Sequence, residues 1–401
     1  MPETNNNGME NKKRKIHIAL VGGQPAPVFY GIKATEPDTV VLICSEASQR
    51  QAESIKAFFP NLSFGQTMPL TEFNPGEIIE RANSLCRTYF DDEVCLNISS
   101  GLKSWSHLFA ESFRSHPDCH VIYIDQENRL WDYATNEFKP IEYVGVLDHL
   151  KLYGNTLESF KRLEDYAHED IEAIDILRSA RDFNNNHFRK LLAVVDHKSW
   201  VKKLEKRPSG AFYLNELSGF EDTDSYVNWA KPRNGSRGRV TIFLEDENDH
   251  HLERFSISSP HAMDLAFNSG WFEIMVADIL SRWDKAKEIF VNCHFKTKKN
   301  ADKNEIDVIV QTSTRILFVE CKTALTKITD IAKFKNAVKN YGGTACHGIF
   351  ITMDPVNEVA LEKCRDSKLL QPFSINMQLP IPTEEALFML LDEAIQQINI
   401  I

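Results

Sequence analysis

The chain has 401 residues, 42% of them hydrophobic and 26% charged, which suits two or three domains with real cores. No stretch approaches the roughly 18 unbroken apolar residues of a membrane span, and the polar start, Met1 to Lys15, lacks the apolar core of a signal peptide. The net charge of −11 counts against tight, constitutive binding to nucleic acid.

In chain order, residues 1–14 read as a disordered tail. The runs Ile16–Val21, Thr39–Cys44, Val94–Ile98 and His120–Ile124 are short and apolar. Helical patterns, Ala47–Phe59 and Lys103–Phe113, lie between them. Strands of this kind separated by helices predict a parallel sheet covered on both faces, a Rossmann-like α/β domain over 15–150. In such sheets ligands bind at the carboxyl ends of the strands. Gly22, Gly23, Gln24 and Pro25 follow the first strand, and Ser45 and Glu46 follow the second. The first loop is neither a GxGxxG nor a P-loop, so a dinucleotide cofactor is poorly supported. After the third strand, Asn97, Ser99, Ser100, Gly101 and Lys103 bring hydroxyls, N–H groups and one ammonium to a helix start. That set makes an anion site. A plain helix start capped by Ser99 or Ser100 is the competing reading.

Residues 151–207 are charged and helical in pattern, a connector broken near Phe183–Asn186. Residues 208–401 form a second α/β unit. Arg239–Leu244 and Glu253–Ile257 alternate as a hairpin. A helix, Gly270–Trp283, is followed by a strand, Glu288–Phe295, and by two neighbouring strands, Asp307–Gln311 and Arg315–Cys321. A helix over Lys327–Asn340, a strand over Gly348–Thr352 and an amphipathic helix over Thr383–Gln397 complete the chain.

The chemistry concentrates on Asp307, Glu320 and Lys322. Glu320 and Lys322 are two apart on one strand and so share a face. Asp307 opens the adjacent strand. Burying such charges is costly without a partner or a metal. Hard carboxylate oxygens suit Mg²⁺ or Mn²⁺. Cys321 faces the other way and can add its backbone carbonyl to Asp307 and Glu320 as metal ligands. Glu273, on the preceding helix, can act as a further ligand or as a base. Glu305 shares the face of Asp307 by alternation. The eight cysteines include no CxxC, which points to reduced thiols, a cytoplasmic chain and no structural zinc. Two basic tracks, Lys296–Lys303 with His294 and the arginines 233, 237 and 239, read as solvated loops.

Glu273, Asp307 and Glu320-Cys321-Lys322 together resemble the PD-(D/E)xK restriction-endonuclease-like superfamily. The Asn97–Lys103 loop resembles the ligand loop of the CARF domain, the Rossmann-like sensor of CRISPR systems. The pair, joined by a helical connector, resembles the CARF nucleases of type III CRISPR defence. The resemblance implies a cytoplasmic homodimer binding cyclic tetra-adenylate across its paired CARF domains. It further implies metal-dependent cutting of nucleic acid, single-stranded DNA or RNA or duplex DNA, once that cyclic oligoadenylate is bound. A HEPN ribonuclease would need Arg-x(4–6)-His, which occurs at Arg181–His187, Arg114–His120 and Arg254–His261 about as often as chance allows. A non-catalytic ligand-sensing regulator is the other alternative, and the intact acidic-acidic-lysine set argues against it.

Overall fold

In the computed structural model the described residues are 13–67, 69–125, 129–141, 144–193, 207–232, 236–246, 250–296, 305–313, 315–325, 328–342, 346–367, 369–376 and 381–396. Residues 1–12 of the expected tail over 1–14 and residues 297–303 of the basic track lie outside them, while Lys13 and Arg14 are paired with Asp118 and Asp92.

The first sheet is built from β1 (Lys15–Val21), β2 (Thr39–Cys44), β3 (Ser63–Phe64), β4 (Glu93–Asn97), β5 (Cys119–Ile124), β6 (Arg129–Asp132) and β7 (Glu137–Pro140). Its order is β3-β2-β1-β4-β5-β6-β7. The first five strands are parallel, and β6 and β7 extend the edge as an antiparallel hairpin. Alternate residues of β1 feed two cores. Ile16, Ile18 and Leu20 pack with Trp105 and Phe109, whereas Ala19 and Val21 pack with Val28, Phe29 and Ile55. Burial on both faces is why these strands read as unbroken apolar runs.

The next strand, β8 (Leu157–Lys161), falls in the connecting segment, where the sequence carries no strand signal. It is followed by the helices His168–Phe183 and Asn185–Leu192. The break between them is a cap: Asn184 accepts the N–H of His187 on its side chain. Four antiparallel strands come next, β9 (Ser209–Tyr213), β10 (Tyr226–Ala230), β11 (Gly238–Glu245) and β12 (Leu252–Ser259), in the order β12-β11-β10-β9. The β11–β12 pair is the expected hairpin.

Beyond them lie β13 (Glu288–Phe295), β14 (Glu305–Gln311), β15 (Ile316–Lys322), β16 (Cys346–Thr352) and β17 (Phe373–Ser374). With β8 they form a six-stranded sheet, ordered β17-β16-β15-β14-β13-β8. Val308, Val310, Leu317 and Val319 face a core shared with the helices His168–Phe183 and Gly270–Ser281 and with the four-stranded sheet. Ile309, Ile316 and Phe318 face a second core with Ile331 and Phe334 of the helix Ile328–Gly342.

A short helix, Val146–Leu152, joins the two halves. Val146 and Leu150 sit in the second of these cores, beside Phe290 and Phe318. Leu152 sits in the core of the first sheet, with Val21 and Phe29. Among the described residues no helix is long and apolar enough to cross a membrane.

Candidate active site

The β14–β15 ladder runs from Gln311 opposite Ile316 to Val308 opposite Val319. One step further a side chain takes over: the N–H of Cys321 donates to Oδ2 of Asp307 across 2.6 Å. Lys322 Nζ stands 2.7 Å from Oε1 of Glu320 and 3.9 Å from Oδ2 of Asp307. The lysine therefore spans both carboxylates. The Cys321 side chain points into the apolar core beside Val319, and burial, then the charges of Asp307 and Glu273, push its thiol well up.

Glu273 comes from the helix Gly270–Ser281. Its neighbours Trp271, Phe272 and Ile274 are buried and anchor that helix on the sheet. Burial pushes the Glu273 carboxyl well above its ordinary value, and Asp307 and Glu305 push the same way. Burial, then Glu320, pushes Asp307 up to about 7. Burial also raises Glu320. For Lys322 burial acts downward, but Asp307 and Glu320 outweigh it and hold the ammonium raised. Glu273, Asp307, Cys321 and Lys322 line one cleft of about 1340 Å³, and Glu305 lies on its rim. Glu320 is tied to Lys322 instead of lining the cleft.

This donor set suits a hard divalent cation. Three carboxylates, the buried Asp307 and the half-buried Glu273 and Glu320, are raised together with one ammonium between two of them, so added positive charge relieves all three. Among the described residues no group of three or more His, Cys, Asp or Glu side chains is placed to hold a metal. Mg²⁺ does not demand such a cage, since it takes one or two carboxylates and keeps several waters.

Two features of the cleft escaped the sequence reading. Asn292 adopts φ 52° where the β13 register shifts, and its Oδ1 is buried without a hydrogen-bond partner. A one-residue bulge of this kind is not signalled by composition. His261 also lines the cleft, hydrogen-bonded to a buried Asp170.

The loops at the carboxyl ends of β1, β2 and β4 meet at the point where the parallel order reverses. Ser100 Oγ accepts the N–H of Gly22 at 3.0 Å and donates to the carbonyl of Gln24 at 3.0 Å. A Cβ on Gly22 would stand 2.7 Å from the Gly101 nitrogen, and Gly101 has φ +82°, so both positions require glycine. Ser45 and Pro25 are buried, while Gly23, Glu46 and Lys103 are exposed. Ser48 Oγ donates to the carbonyl of Val21 and accepts the N–H of Ser45. Asn97 is fully buried. Its amide reaches His17 and the Pro27 carbonyl, and its Oδ1 takes both the N–H and the hydroxyl of Ser99. The helix Lys103–Phe113 begins after an extended Leu102, and no side chain caps it. Its first N–H groups are therefore not answered by Ser99 or Ser100.

The Arg181–His187 pair is spent elsewhere. Arg181 is buried and ion-paired to Asp354, and His187 Nδ1 bonds the Ser225 hydroxyl.

No protein-family profile matches the chain, and no curated protein matches it in sequence. Solved structures do. Can2 from Sulfobacillus thermosulfidooxidans, in complex with cyclic tetra-adenylate, is 15% identical with a TM-score of 0.66 over 95% of this chain and 99% of that one. The chain shares the fold of that protein. Protein VC1899 from Vibrio cholerae is also 15% identical, with a TM-score of 0.67 over 96% and 97% of the two chains. A type III CRISPR defence DNA nuclease activated by cyclic oligoadenylate is 16% identical, with a TM-score of 0.57. That match covers 94% of this chain and 51% of the nuclease, so this chain spans about half its length. At such identities the likeness is one of fold: a Rossmann-like α/β domain followed by a second α/β domain.

Proposed function

We propose that this chain is a metal-dependent nuclease of type III CRISPR defence, switched on by a cyclic oligoadenylate. The observation that carries the reading is Lys322 spanning Asp307 and Glu320 at the wall of a cleft. Asp307 and Glu320, with the Cys321 carbonyl, would hold a Mg²⁺ or Mn²⁺ ion, which would supply Lewis-acid charge for the scissile phosphate and a more acidic water. The protein groups do the rest. Lys322 donates to the phosphate and positions the attacking water. Glu273, favoured in its protonated form by burial, exchanges a proton with the reacting oxygens.

The sensor half binds the ligand phosphates. Lys103 and the uncapped start of its helix face that work, with Gly22, Gly23, Gln24, Ser45, Glu46 and Ser100 around them. Asn97 and Ser99 hold the loop from inside. Cyclic tetra-adenylate, the ligand in the Can2 complex, is the expected activator, bound across a homodimer of CARF domains. A net charge of −11 accords with nucleic-acid affinity that depends on activation.

The test is to incubate the protein with single- and double-stranded DNA and RNA, with and without Mn²⁺ and each cyclic oligoadenylate. Cleavage is expected only when metal and one cyclic ligand are both present. Cleavage indifferent to every ligand would remove the sensor half of the reading. Cleavage unchanged in Lys322→Ala would remove the nuclease half.

A further inference from the structure

One wall of the cleft carries an acid–imidazole pair that the carboxylate–lysine site does not use. Oδ2 of Asp170 lies 2.8 Å from Nδ1 of His261, and Oδ1 accepts the backbone N–H of the same histidine at 3.1 Å. Oδ2 also accepts the N–H of Ala167 at 2.9 Å. Asp170 has no exposed surface, whereas a quarter of the His261 side chain is open. Burial acts to raise the Asp170 carboxyl, but the hydrogen bond from the imidazole, then the Ser259 hydroxyl and the backbone N–H groups, hold it below its ordinary value. An ionised carboxylate only accepts, so the proton between the pair sits on Nδ1. The tautomer is thereby fixed, and Nε2 is the ring atom left for another partner. Among the described residues none bonds it. Tyr166 meets the ring edge-on at 5.4 Å between centroids, and Lys161 Nζ lies 5.1 Å from the Tyr166 ring centre. His261, Tyr166 and Lys161 line the same cleft as Asp307 and Lys322.

A structural role alone accounts poorly for this arrangement. Asp170 already takes two backbone N–H groups, and an imidazole is a large side chain to spend on a third bond while leaving its far nitrogen open on a charged cleft. With Nδ1–H held by Asp170, Nε2 meets a phosphate as the second N–H of an imidazolium, which is a charge-assisted donor.

We infer that His261, oriented by Asp170, is a substrate-binding residue whose imidazolium donates its Nε2–H to a phosphate flanking the scissile bond of a nucleic-acid strand. The inference rests on the nuclease reading and adds a contact outside its reacting centre. Asp170 is a positioning residue that acts through the ring.

Two amide substitutions separate the roles. His261→Asn places an N–H where Nδ1 stands and nothing at Nε2. His261→Gln places an amide near Nε2. Cleavage of a labelled oligonucleotide is followed in the full chain with Mn²⁺ and cyclic tetra-adenylate, beside thermal melting. His261→Asn is expected to raise KM about tenfold, the scale of one charge-assisted hydrogen bond, with kcat within about twofold and melting unchanged. His261→Gln is expected to stay within about threefold of the parent KM. Asp170→Asn is expected to raise KM less than His261→Asn does, with kcat unchanged. A parent-like KM for His261→Asn overturns the proposal. So does an equal loss in both amide variants accompanied by a lower melting temperature. If the parent cuts and Lys322→Ala does not, such a result sinks this inference alone. If the parent cuts no strand at all, the nuclease reading fails and this falls with it.

Discussion

The hydroxyl of Tyr153 donates to Oε1 of Gln24 across 2.7 Å. Gln24 belongs to the loop after β1, and Tyr153 follows directly on the helix Val146–Leu152 that enters the cores of both domains. The same ring stacks on the buried His149 at 4.9 Å. A displacement of the β1 loop thus has a direct handle on the element that touches the six-stranded sheet. Tyr153→Phe removes the handle and little else. A neutral hydrogen bond contributes about 1 kcal/mol, so the activator concentration for half-maximal cleavage should move about fivefold. The rate at saturating activator should stay close to the parent. Titration of cyclic tetra-adenylate against cleavage rate measures both, and an unchanged midpoint would show that the bond carries no coupling.

Lys322→Ala removes the group that spans Glu320 and Asp307. Loss of one preorganised donor at the reacting phosphate costs about 10²–10³-fold in rate. The expected outcome is cleavage reduced at least that far, with cyclic-ligand binding by calorimetry intact. Parallel loss of ligand binding would mean that the variant is misfolded and not merely inactive.

Asp307→Asn tests the electrostatic frustration of the site. The carboxyl is pushed up to about 7 from an ordinary value of 3.8, so its ionisation costs folding free energy that sets in above pH about 4 and is complete above about 7. At pH 8 in EDTA the asparagine variant should melt at least about 2 °C above the parent. Adding Mn²⁺ should raise the parent by mass action and leave the variant nearly unmoved. Equal metal shifts in the two proteins would place the cation elsewhere.

Two buried histidines, His17 and His149, and the half-buried His347 set the acid limit. Burial lowers His17 to about 3, and burial with the nearby Arg315 lowers His149 and His347 to about 4. Their folded values lie below the unfolded 6.5, so the unfolded chain binds more protons in acid. Stability is full above pH about 6.5 and falls as the pH drops toward 4, by up to about 1.4 kcal/mol per pH unit for each histidine. The raised carboxylates of the cleft act the other way over the same range, so the histidine contribution is read as a difference: between pH 7 and 4.5 the denaturant midpoint of His17→Asn should lose less than that of the parent. An identical pH dependence in the two proteins would contradict the assignment.

Much of this architecture was legible because the central strands are buried on both faces. β2, the helix Lys103–Phe113 and β13 fall on the expected residues. What went unread was mostly exposed. All four residues of β7 face solvent, and β8 carries charged and polar residues in an edge position, so neither has an apolar period to detect. Asp307, Glu320 and Lys322 stood out because charge on an apolar strand is rare. Asp170 and His261 did not, being single residues 91 positions apart that only the fold unites.

The place of β8 also bears on how such a chain can be cut and recombined. Its partner is β13, more than a hundred residues downstream, with Val291 opposite Lys161 and Phe295 opposite Leu157. A fragment beginning at residue 208 would leave β13 with a bare edge, open to pairing with any passing strand. A working graft of this C-terminal domain onto another N-terminal domain therefore has to be spliced upstream of residue 157. In that sense the linker is already part of what it links.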